Sequence, residues 1–187
     1  MRRVLSRRFT GNPGVQVIDA AAEAMPLPSG GVGLLVACTA FHWFDRAAFF
    51  AEAARVLAPR GVLGLIRNRR RPSPVLADFD AYLAAQSIEV DDYGRRELGK
   101  EPSVRGLMAQ ENFQSAHSAT LSWHEDRDCR ALIDLYLTRS ITWGIVRRTG
   151  LGPVMADLAG ICAHHGGGPF RIDWETTVKW VQRRPCG

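Results

Sequence analysis

His42 is the side chain in this sequence best placed to do chemistry. It lies in A-F-H-W-F-D (Ala40 to Asp45), between Phe41 and Trp43, directly after an apolar run. An imidazole titrates near neutral pH, so it can take a proton from an oxygen or nitrogen atom as that atom reacts. The same ring can instead pack its loop against a ligand or the following helix. Other candidates carry less. His164 and His165 are adjacent and followed by glycines, but a metal ion needs further ligands at suitable spacing, so no metal site is expected. The four cysteines, Cys38, Cys129, Cys162 and Cys186, form no C-x-x-C pair, which argues against a zinc ribbon or a redox motif. Cys38 lies in the apolar run and reads as a small core residue. Glu52 and Arg55 are three residues apart and read as a surface ion pair on a helix.

The elements around His42 follow from periodicity. Residues 2–9 read as the end of a helix, broken by Gly11, Asn12, Pro13 and Gly14. Val15 to Ile18 is a short β-branched run. A turn over Pro26 to Gly31 precedes Val32 to Cys38, a continuously apolar run that predicts a strand covered on both faces. Asp45 is a helix N-cap candidate, and Phe49, Ala53, Val56 and Leu57 then recur on one helical face. Pro59 and Gly61 stop that helix, and Gly61 to Ile66 predicts a second buried strand. Strand, loop, helix, strand is the pattern of an open α/β sheet, in which ligands sit at the carboxyl ends of the strands.

Beyond Ile66 the pattern loosens. Asn68 to Pro74 reads as a polar loop, and Val75 to Gln86 as a helix. Residues 87–112 read as loop with short helices. Phe113 to Trp123 predicts a strand, with Ala119, Leu121 and Trp123 on one face. Helices are expected over Arg127 to Ser140 and Leu151 to His165, and Phe170 to Gln182 reads as a terminal strand. Trp123, Trp143, Trp174 and Trp180 are expected in core or lid packing.

Composition bounds the function. At 187 residues, 46% hydrophobic and 23% charged, the chain is ordinary for a globular domain with a core of its own. No apolar run approaches the ~18 residues of a membrane span, and no apolar stretch follows the basic start, so the cytoplasm is the expected compartment. The net charge is +5. Much of it comes from Arg2, Arg3, Arg7 and Arg8 and from Arg67, Arg69, Arg70 and Arg71. Such clusters can bind nucleic acid or acidic ligands, but a solvated helix face plus a loop is the plainer account, and no aromatic stacking pattern of the kind single-stranded nucleic acid favours accompanies them.

Three segments in order, A-E-A-M-P-L-P (Ala22 to Pro28), A-F-H-W-F-D, and E-A-A-R-V-L-A-P-R-G (Glu52 to Gly61), resemble the class I S-adenosylmethionine-dependent methyltransferases. The nearest subset has a type 11 methyltransferase domain with an H-W-F loop. The resemblance covers about residues 15–184. It implies a partial Rossmann-like, doubly wound sheet with helical insertions and an antiparallel C-terminal strand, in a single domain over 1–187. Residues 1–66 would be the cofactor side and 67–187 the substrate side, with 67–112 and 139–150 facing the substrate. It also implies S-adenosyl-L-methionine as cofactor and a small-molecule acceptor. Ala22 and Glu23 would meet the adenine, Thr39 and Phe41 the methionine end, and His42 would touch the cofactor and act as the base.

The sequence departs from the family at identifiable places. The glycine-rich loop after a first strand is missing; Gly30–Gly31 and Gly166–Gly168 lie in the wrong context. The acidic residue that holds the ribose is missing too. The resemblance therefore implies an absent strand–helix–strand unit, about 30 residues or more, before residue 1. Met1 would then be an internal methionine of a longer ancestral sequence. Gly33 stands where the family has an aspartate. Arg60 replaces the first glycine of P-G-G, at a cost of about 1 kcal/mol if its φ is positive. A non-catalytic alternative follows: a truncated or pseudoenzyme chain acting as a binding or partner subunit, self-associating through an exposed sheet edge.

Overall fold

The computed structural model describes residues 2–86 and 102–185. Helix α1 (Arg2–Arg8) leads, and β1 (Val32–Cys38) runs into a 3-10 turn at Phe41–Trp43. Helix α2 (Arg46–Val56) follows, then β2 (Leu57–Arg70) and α3 (Pro74–Gln86). The remaining elements are α4 (Val104–Met108), β3 (Phe113–Arg127), α5 (Cys129–Leu137), α6 (Ser140–Thr149), α7 (Leu151–His164) and β4 (Phe170–Arg183).

The strands form one sheet in the order β1-β2-β4-β3. β1 and β2 are parallel, while β4 runs antiparallel to both β2 and β3. Parallel strands need a crossover, and α2 supplies it. Asp45 caps α2 as its sequence position predicts, its carboxylate accepting from the Ala48 N–H at 3.0 Å. The C-terminal strand closes the sheet antiparallel, as expected, but from within: β3 takes the edge.

Two hydrophobic clusters cover the sheet. One joins α2, β1, β2, α4 and β4 through Ala37, Phe49, Ala53, Leu63, Leu107 and Val181. The other joins α3, α5, α6 and α7 to β4 through Phe79, Leu132, Tyr136, Leu158 and Ile172. Along β4, Phe170 and Ile172 stand two residues apart and belong to the second cluster, whereas Val181 has the opposite parity and belongs to the first. Strand side chains alternate between faces, so the helices flank the sheet on both sides. The α/β, Rossmann-like reading of the sequence holds.

The sequence expectations fail where they depend on neighbours. Val15–Ile18 forms no ladder, although β-branched residues favour strands; no strand lies beside it among the described residues. β1 is not covered on both faces. It is an edge strand with Leu34 62% and Val36 41% exposed, and Cys38 is exposed rather than a core residue. β2 continues through Arg70, past the expected end at Ile66, because β4 pairs with it as far as Arg70 opposite Trp174. Leu121 and Trp123 face solvent more than core. Residues 140–149 form a helix that periodicity did not isolate. The reading of 87–112 falls partly on 87–101, outside the described residues.

The P-R-G turn carries its predicted strain. Arg60 has φ 64°, in the left-handed region that favours glycine. Gly61 is sterically required: a Cβ there would stand 2.9 Å from the Ala58 carbonyl oxygen and 3.0 Å from that of Val32.

Candidate functional site

Thr39 turns the chain at the carboxyl end of β1. It adopts φ 50°, an uncommon value for a non-glycine residue. Its N–H donates to the Ile66 carbonyl of β2 at 2.8 Å, which fixes the turn across the strand pair. Backbone strain of this kind costs of order 1–3 kcal/mol and clusters where ligands bind.

Beside this turn lies a cavity of about 530 Å³, lined by Thr39 and His42 at one end and by Asp80, Arg139 and Trp174 elsewhere. It opens at the carboxyl ends of the parallel strands, where open α/β sheets bind ligands. The His42 ring is half-buried and lies 4.9 Å from the Trp43 ring, tilted by 42°. Trp174 stacks on Trp123 at 5.5 Å with only 10° between the planes. Its Nε1 donates to Glu125 at 2.8 Å. The Arg127 guanidinium, with help from Trp174, holds the Glu125 carboxyl below its usual range.

The five residues singled out in the sequence divide in space. Thr39 and His42 meet in the cavity. Phe41 points its ring inward, 2% exposed, edge-on to Phe44 at 6.2 Å and Phe49 at 5.7 Å. Ala22 packs against the same core. Glu23 accepts from the Asp45 N–H at 2.8 Å, tying the 22–25 loop to the start of α2. Glu52 and Arg55 do pair, and more tightly than a solvated helix pair. Arg55 Nη1 and Nη2 also donate to the carbonyls of Leu27 and Met25, each at 2.9 Å. The pair therefore fastens the 25–29 turn to α2. Among the described residues no group of His, Cys, Asp and Glu could hold a metal ion.

Sequence reasoning noted the Arg67–Arg71 cluster but did not assemble it with Asp80 and Arg139 into the polar end of the cavity. Arg67, Arg69, Arg70, Arg71 and Arg139 line it with a single carboxylate, Asp80. The R-N-R-R run was the available signal. Read as a loop, it gave no direction to the side chains; as the end of β2 it faces a ligand cleft. Tyr136 on α5 anchors this end. Its ring is fully buried, and its hydroxyl donates to the Leu76 carbonyl at 3.3 Å and to Asp80 at 3.1 Å. Burial pushes that hydroxyl's pKa well above the usual value.

Known proteins resemble this chain in sequence and in shape. A methyltransferase-domain family model of type 11 matches residues 1–65. An uncharacterized methyltransferase of Mycobacterium tuberculosis is 31% identical over 125 residues, 64% of this chain and 44% of its own length. A methyltransferase-like protein of Schizosaccharomyces pombe is 39% identical over 70 residues, 37% of this chain and 26% of its own. The chain thus spans less than half the length of the curated relatives it matches. A structure described as a type II methyltransferase, from Anaeromyxobacter dehalogenans, superposes with a TM-score of 0.64 at 26% identity. The match covers 96% of this chain and 77% of that one. A Bacillus halodurans structure at 16% identity and TM-score 0.50 shares the fold. Sheet order, the strand-end cleft and these matches agree: the chain is similar in sequence to methyltransferases over these stretches, and its fold is that of a class I S-adenosylmethionine-dependent methyltransferase.

Proposed function

We propose that this chain transfers a methyl group from S-adenosyl-L-methionine to a small-molecule acceptor bound in the strand-end cavity. The observation that carries the reading is the joint placement of Thr39, on a strained backbone, and His42 at the mouth of β1.

The residues present fit one wall of a cofactor site. G-x-G occurs at Gly31–Gly33, Gly150–Gly152 and Gly166–Gly168. The first enters β1, the second joins α6 to α7, and the third leads from α7 towards β4. None is a strand-to-helix turn of the kind that lets a backbone approach a cofactor closely. On the wall that is present, Thr39 and His42 would hold the methionine end. The Ala22–Glu23 backbone, fixed through Asp45 and α2, would meet the adenine. Phe41 would support that wall from within the core. The cofactor supplies, when bound, an activated methyl group on a positively charged sulfur.

The chain's own residues would then align and deprotonate. Confinement in a half-enclosed cleft holds an acceptor atom in line, which is most of what methyl transfer asks of a protein. His42 would accept the proton leaving the acceptor oxygen or nitrogen, and Trp43 fixes one side of its ring. Residues 1–66 serve the cofactor in this reading, and 67–187 serve the acceptor.

A second reading is favoured by β1. Its outer edge has no partner strand among the described residues, and Leu34 and Val36 stand exposed on it. In that reading the chain is a partner subunit without catalysis, associating through this edge.

Incubation of the 187-residue chain with methyl-labelled S-adenosylmethionine and a metabolite extract separates the two. The first reading predicts label in the small-molecule fraction. Label in no fraction supports the second, and label in protein or nucleic acid overturns the small-molecule acceptor.

A further inference from the structure

Two guanidinium groups share one aromatic ring at the polar end of the cavity. The guanidinium carbon of Arg70, from the end of β2, lies 4.6 Å from the centre of the Tyr136 ring. That of Arg139, from the start of α6, lies 5.3 Å from it. Both also approach Asp80: Arg139 Nη1 at 2.6 Å and Arg70 Nη2 at 4.0 Å. The Tyr136 hydroxyl adds a third contact to the same carboxylate at 3.1 Å. One carboxylate cannot satisfy two forks of donors. Arg70 Nη1 is buried and has no hydrogen-bond partner among the described residues.

Buried nitrogen donors are almost always hydrogen-bonded, so this one points to an acceptor that arrives with a ligand. The surroundings specify its charge. Arg67, Arg69 and Arg71 line the same cavity, although Arg71 is engaged by Glu175 at 3.1 Å. Arg139 is also the N-cap residue of α6, and no side chain caps that helix, so its positive end adds to the field. A planar guanidinium matches the two oxygens of a carboxylate or phosphate in a way that an ammonium does not.

We infer that this cavity binds an anionic group of the methyl acceptor, a carboxylate or a phosphate, between Arg70 and Arg139. The acceptor is thus a small organic acid or phosphate ester, held by its anion while its reacting atom extends towards Thr39 and His42. The assignment of this anion to the methyl acceptor rests on the methyl-transfer reading; the anion site itself stands on the geometry alone.

The test titrates inorganic pyrophosphate and, separately, benzoate into the 187-residue chain without cofactor, by calorimetry at fixed ionic strength, since screening alters such contacts. Saturable binding of at least one probe is expected, and the tighter probe identifies phosphate or carboxylate. Arg139→Gln should weaken it at least tenfold, and Arg70→Lys, which keeps the charge and loses the fork, by severalfold. Arg171→Gln, a substitution in an exposed pair with Asp173 outside the cavity lining, should leave it unchanged. Should Arg139→Gln fail to fold by circular dichroism, Arg139→Lys carries the same expectation as Arg70→Lys. No binding of either probe, or equal binding by the cavity variants and Arg171→Gln, overturns the inference. A parallel titration with S-adenosylhomocysteine keeps the two ideas apart. Anion binding without it would sink methyl transfer and leave the anion site standing, whereas its binding without anion binding would sink the anion site alone.

Discussion

Glu52 holds Arg55 through two parallel hydrogen bonds, Nε to Oε2 and Nη2 to Oε1, both 2.7 Å. The same carboxylate accepts from the Met25 N–H at 2.6 Å. One fork-shaped pair thus joins α2 to the turn that precedes β1. Glu52→Gln keeps the shape of the side chain but removes the charge that organises these donors. It should lower the Tm by a few degrees in thermal unfolding followed by circular dichroism. Arg130→Gln, in an exposed pair with Asp134, should shift stability by no more than about 0.5 kcal/mol.

Acid should reach the same buckle. Arg55, and next the Met25 N–H, hold the Glu52 carboxyl down to about 2 from its ordinary 4.5, against some opposing desolvation. A carboxyl depressed in the folded state stabilises the fold above its unfolded pKa, and that contribution is lost as pH falls towards the folded value. Denaturant unfolding should therefore show stability falling between about 4.5 and about 2, and Glu52→Gln should flatten that part of the profile. An unchanged acid slope would mean that the pair is not formed in solution.

The cysteines should differ sharply in reactivity. Cys38 is exposed on the edge strand, while burial, with the Cys129 thiol beside it, pushes the Cys162 thiol up to about 12. The thiolate is the reactive form. Maleimide labelling read by peptide mass spectrometry should modify Cys38 well before Cys162. Equal rates would place Cys38 in a covered strand, as its apolar sequence context first suggested.

His42 separates catalysis from packing. If it accepts a proton, His42→Gln should lower kcat by about a hundredfold and leave affinity for S-adenosylhomocysteine within a few fold. A kcat that holds while the Tm drops would make it a packing residue.

How much of this was written in the sequence depends on what each residue answers to. Asp45 capping α2 and the helical face of Phe49, Ala53 and Val56 are local, so spacing revealed them. Arg60 was legible too, because a P-R-G turn demands the same backbone whichever residue occupies it. Cys38 and Val36 were misread because an apolar strand looks the same whether or not a neighbour covers it. Arg70 was misread because β4, more than 100 residues later, extends β2 through it. Tyr136 and Arg139 gave no local signal: their meeting with Arg70 and Asp80 is made only by packing α5 and α6 against the end of the sheet. His42 was singled out because a strand end followed by an aromatic loop is a local pattern with a general meaning, whereas Thr39 entered only through the family resemblance; the structure brings both to one cavity.

The account stands or falls on whether the wall formed by Thr39 and His42 belongs to a cofactor site. Calorimetric titration of S-adenosylhomocysteine into the purified 187-residue chain measures this directly. The account predicts a saturable one-to-one isotherm in the micromolar range. Absence of binding up to millimolar ligand, by a chain shown to be folded, would contradict it.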